Sequence, residues 1–112
     1  MSIDEAISTG PLIEKLRNLK QYMPDEEDVI YQFGAYLAGS LNPRRIVPHG
    51  FIVAAEFALD DLEIRNRLVG CHYPPFLYTT LRAKVLDIAE AVCPEDFARG
   101  VKEFYYKVYL KK

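Results

Sequence analysis

Residues 51–59 read FIVAAEFAL, and among them only Glu56 is charged. A helix that is apolar nearly all round must be enclosed by other helices. A strand is the rival reading, because apolar runs this short are ambiguous by pattern. Ala54, Ala55 and Ala58 decide for helix, since alanine is the best helix former and a poor strand former. The helix is expected to run on to Val69, with Gly70 as its stop. Glu56, Asp60, Glu63 and Arg67 then fall on one wet stripe. The remaining residues form two apolar faces: Phe51, Ala55, Leu59, Leu62 and Val69 on one, and Val53, Phe57, Ile64 and Leu68 on the other. The reading is one long helix packed on two sides. A break at Asp60-Asp61 is its alternative, because aspartate favours caps over helix interiors.

A chain of 112 residues suits a single domain with a core that needs neither disulfide nor metal. The net charge of −2 predicts no general attraction to nucleic acid or membrane. The halves differ slightly: residues 1–60 hold 5 bases and 9 acids, and residues 61–112 hold 9 bases and 7 acids. No apolar run is long enough to span a bilayer, and the acidic start MSIDEAISTG does not look like a signal peptide. Cys71 and Cys93 flank a predicted helix of roughly 18 residues, about 27 Å long, too far apart for a disulfide. Reduced cysteines point to a cytoplasmic protein. Abundant tyrosine with scarce Asn, Gln and Ser is compatible with a thermophilic source.

Residues 1–10 read as a frayed opening turn. Pro11 is placed at the first position of a helix bearing Leu12, Leu16, Leu19 and Met23, which ends before Pro24. Asp25 to Asp28 supply acids to the first turn of the next helix. That helix buries Val29, Phe33, Tyr36 and Leu37, and its small face of Gly34, Ala35, Ala38 and Gly39 predicts close approach of another helix. Residues 42–50, NPRRIVPHG, read as the main loop. After the stiff connection at Pro74-Pro75 comes the cleanest periodicity in the chain: Leu77, Leu81, Val85, Ile88 and Val92. A last helix starts at Pro94 and is expected to bury Phe97, Val101, Phe104, Tyr105 and Val108. The fold class is therefore all-α, a compact bundle of about five helices in one domain.

Four features are candidates for function. Surplus apolar residues lie off the buried stripes of the last two helices: Phe76, Tyr78, Leu86, Tyr106 and Leu110. Such patches mark interfaces. Secondly, Arg44 and His49 in RRIVPH are an arginine, four residues, then a histidine, which resembles the motif of the HEPN family of all-helical ribonucleases. The resemblance covers two residues and the helical class, with Pro48 a departure. It implies His49 as general acid or base, Arg44 stabilising phosphate charge, and a site completed by dimerisation. Without chemistry, Arg44 and Arg45 form a basic loop suited to phosphate contact. Thirdly, residues 61–84 fit a helix-turn-helix with Gly70 as the turn, Phe76 as buried anchor, and Thr79, Thr80, Arg82 and Lys84 toward DNA. Asn66 occupies a position that such units give to a small apolar residue. Fourthly, a zinc site from Cys71, His72, Cys93 and His49 lacks any CxxC or HxxxH pair, so the cysteines read as small buried hydrophobes.

These features favour a non-enzymatic interaction module that self-associates through its C-terminal helices, with no cofactor and no metal. Nucleic-acid binding through Arg44, Arg45, Arg82 and Lys84 is the alternative, and a HEPN-like ribonuclease the third reading.

Overall fold

The computed structural model describes residues 6–24, 28–41, 43–70 and 74–109. Five α-helices carry the fold: α1 (Thr9–Arg17), α2 (Asp28–Ser40), α3 (Pro48–Leu68), α4 (Pro75–Val92) and α5 (Glu95–Tyr109). A 3-10 turn, Leu19–Gln21, follows α1. Two short strands, β1 (Ile7–Ser8) and β2 (Arg45–Ile46), pair antiparallel with Ile7 opposite Ile46 and Ser8 opposite Arg45. The domain is thus an all-α bundle, as expected. No helix among the described residues is long and apolar enough to cross a membrane.

The long central helix is real and unbroken: α3 runs 21 residues through Asp60 and Asp61. It packs against α2, α4 and α5. One expected apolar face is core, with Phe51, Ala55, Leu59 and Leu62 buried; Val69, assigned to that face, lies past the end of the helix and is exposed. The second face is the main correction. Val53, Phe57, Ile64 and Leu68 are not packed but exposed. The reason lies in the small side chains of Ala54, Ala55 and Ala58, all buried. They let neighbouring helices come close, so three helices crowd one side of α3 and leave the opposite side bare.

The segment expected to be the main loop is more ordered than its prolines suggested. Arg45 and Ile46 form β2, and α3 starts at Pro48 with Val47 as its cap. A proline at the first helical position loses no hydrogen bond and has its φ already set. Ribbons of two residues leave no alternation to read, so β1 and β2 were invisible to pattern. Their pairing, with the Thr9 N–H donating to the Arg44 carbonyl at 3.1 Å, ties the entry of α1 to the entry of α3.

The first helix is shorter than its spacing predicted. It begins at Thr9 rather than Pro11 and stops at Arg17, where Asn18 Nδ2 donates to the Glu14 carbonyl at 3.0 Å. Such side-chain bonding competes with the next helical turn. Leu12, Leu16 and Leu19 are nevertheless buried. In α4, Leu81, Val85, Ile88 and Val92 are buried and Leu77 is half-buried. In α5, Phe97 and Val101 are buried, Phe104 and Tyr105 half-buried, and Val108 exposed, contrary to expectation. Phe97 meets Phe51 edge-on, while Phe104 meets His49 in the first turn of α3. The last helix therefore runs toward the start of α3, and the turn beyond Phe104 has little of α3 left to cover it.

The small face of α2 divides in two. Gly34 is the close approach: a Cβ there would lie 2.9 Å from the Leu16 carbonyl oxygen and 2.9 Å from Leu19 Cδ2. Ala38 is buried beside it, whereas Ala35 and Gly39 are exposed. A Cβ at Gly39 would meet nothing within 4 Å. Two alanine substitutions should therefore part company. Gly39→Ala is expected to stabilise by about 0.5–1 kcal/mol through helix propensity. Gly34→Ala is expected to destabilise by about 1–3 kcal/mol, because a backbone carbonyl cannot step aside. Urea denaturation of the two variants measures the difference.

Candidate interaction surface

The exposed side of α3 is built by helical spacing alone. Val53 and Phe57 are four residues apart, Ile64 is seven further, and Leu68 four beyond that, so all four share one line. Their exposures are 48%, 60%, 54% and 80%. Beside the first two, a shallow groove of about 310 Å³ is floored by Ile46, His49, Gly50 and Ala54. Further along the same flank a second depression of about 270 Å³ lies between α2 and α3, lined by Tyr36, Gly39, Asp61 and Arg65. The Arg65 guanidinium stands 5.8 Å from the centre of the Tyr36 ring, a cation–π contact. The stripe is therefore bordered by α2 on one flank, and its four apolar side chains remain exposed.

The residues expected to form an interface on the last two helices are placed unevenly. Phe76 is 69% exposed in the first turn of α4, and Tyr106 is 54% exposed in α5 with its ring edge-on to Tyr105. Tyr78 and Leu86 are half-buried against the core. Leu110 lies outside the described residues. No ring contact or hydrogen bond joins Phe76 to Tyr106 among the described residues. Sequence reasoning had the α3 stripe in view but assigned it to packing.

The basic candidates are largely engaged within the chain. Arg45 donates to the Ala6 carbonyl at 2.6 Å, and Arg82 donates to Glu56 Oε2 at 2.6 Å. Lys84 lies 3.9 Å from Asp87. The exposed Arg44 sits just before β2. His49 is on α3, with its ring centroid 5.7 Å from that of Phe104. The helix-turn-helix reading needed Phe76 as a buried anchor, and it is on the surface; Thr80 Oγ1 donates to the carbonyl of Phe76 at 2.9 Å.

A polar cleft of about 520 Å³ opens between the end of α4 and α5, lined by Glu90, Cys93, Glu95, Ala98, Arg99 and Lys102. Its charges answer one another. Lys102 pairs with Glu90, whose hydrogen bond and charge raise the lysine pKa. Arg99 reaches Glu95 and Asp96, each at 3.3 Å. Burial pushes the free Cys93 thiol up to about 12, with Lys15 opposing weakly. A thiol so placed stays protonated at neutral pH and is a poor nucleophile. In a Cys71→Ser background, Cys93 should resist alkylation at pH 8 in the native state and react on unfolding in urea, read by mass spectrometry. Among the described residues no three His, Cys, Asp or Glu side chains are grouped to hold a metal; Cys71 and His72 lie outside them.

Comparison with known proteins adds no relative: no family model matches the chain, and no curated protein or solved structure does.

Proposed function

We propose that this chain is a non-enzymatic helical interaction module that associates with a second copy of itself through the exposed side of α3. The observation that carries the reading is the line of Val53, Phe57, Ile64 and Leu68, all exposed on the helix whose opposite side forms the centre of the core. Exposed apolar pairs aligned on one side of a helix, here with Asp60 and Asp61 between them, are characteristic of interfaces. Phe76 and Tyr106 add exposed aromatic surface on the two helices that follow. Sedimentation velocity over a concentration series tests the proposal. A mass that rises toward a dimer is expected, and a chain that stays monomeric at every concentration overturns it.

A further inference from the structure

The stripe on α3 carries charge as well as apolar surface. Asp60 and Asp61 lie midway along it, one toward each flank by helical position, and both are exposed. Neither joins an ion pair among the described residues, whereas Glu56 and Glu63 on the neighbouring row each do. Glu56 holds Arg82 at 2.6 Å and Glu63 holds Arg67 at 2.5 Å. Arg65 lies over Tyr36. A two-fold pairing of stripe on stripe about its midpoint would gather both aspartates of both copies at the axis. Like charges brought together there oppose association.

The complementary occupant is an amphipathic helix with apolar residues four apart and lysines beside them. The chain itself holds that pattern where α5 ends. Tyr106 is exposed and stands four residues before Leu110; the exposed Lys107 stands four residues before Lys111. Tyr106 and Lys107 stand on adjacent rows of α5, and Leu110 and Lys111 follow each of them in the sequence at the same spacing of four. Phe104, two residues before Tyr106, already rests on His49, which floors the groove beside Val53 and Phe57. The end of α5 and the start of the stripe are therefore neighbours within one copy, so a reciprocal exchange between two copies is compact.

We propose that the end of α5 from a second copy covers the α3 stripe, with Tyr106 against its apolar side chains and Lys107 facing Asp60 and Asp61. Repeated in both directions, the contact closes as a two-fold dimer. This assignment rests on the self-association proposed above and names what makes it. Sedimentation equilibrium on the full chain tests it with variants at exposed positions, whose folding is checked by circular dichroism. Asp60→Asn with Asp61→Asn removes the carboxylates, and the dimer should weaken about tenfold. Lys107→Glu with Lys111→Glu should weaken it by at least as much. The wild-type dimer should also weaken as salt rises. Joining Asp60→Lys and Asp61→Lys to the two glutamate changes should restore affinity to within about threefold of wild type, as reversed but matched charges do. A stripe-on-stripe dimer gives the opposite sign: the asparagine variant associates more tightly, and the glutamate variant is unchanged. That result overturns this assignment and leaves self-association standing. A wild-type chain that remains monomeric overturns both.

Discussion

Phe57→Asp combined with Ile64→Asp should abolish dimerisation while leaving the fold intact. Both side chains are more than half exposed, so charge at these positions costs the monomer little, within about 1 kcal/mol. In a dimer the same carboxylates would be taken out of water against an apolar surface with no partner, which is expensive. Loss of two central apolar anchors typically costs more than 2 kcal/mol each, so the dissociation constant should rise at least about a hundredfold. Sedimentation velocity reads the loss, and thermal melting reads the fold. The melts belong at low protein concentration, because a dimer stabilises its own native state by mass action. Unfolding of the double variant would show that the stripe is core after all. An unchanged dimer would place the interface elsewhere.

Phe51→Ala should do the reverse, unfolding the domain rather than dissociating it. Phe51 is fully buried, and its ring meets that of Phe97 edge-on at 6.1 Å. It stands on the side of α3 that faces the core, six residues before Phe57 on the bare side. Removing a buried phenyl ring loses its transfer free energy and leaves a cavity that packed helices only partly fill. The expected cost is about 3–5 kcal/mol. For a small domain this lowers the melting temperature by well over 10 °C, at roughly 4–8 °C per kcal/mol. Chemical denaturation with an unchanged slope confirms that stability moved, not the size of the transition. A loss below about 1 kcal/mol would mean that α3 is not the centre of the fold. Together the two variants separate the two sides of one helix.

The helical class, the order of five helices and the centrality of residues 51–59 were legible in the residues alone. Alanine content and 3.6-residue spacing act within a few turns, so they can be read without knowing any neighbour. The buried leucines of α1 and the Leu81–Val92 row of α4 followed from the same local rule. The start of α3 was less legible, because Pro48 can punctuate a loop or open a helix with equal ease. The two-residue ribbon was not legible, because its paired residues are 37 and 39 positions apart and its strands are too short to carry a pattern.

What the residues by themselves determined about this protein is which segments are helical and that α3 has two apolar sides. Which of those sides is core was decided only by tertiary structure. Periodicity records how apolar residues recur around a helix axis, and it is the same for a side met by another helix and a side left bare. In the fold α2, α4 and α5 all pack against α3, Ala54, Ala55 and Ala58 are buried among them, and Val53, Phe57, Ile64 and Leu68 are left exposed.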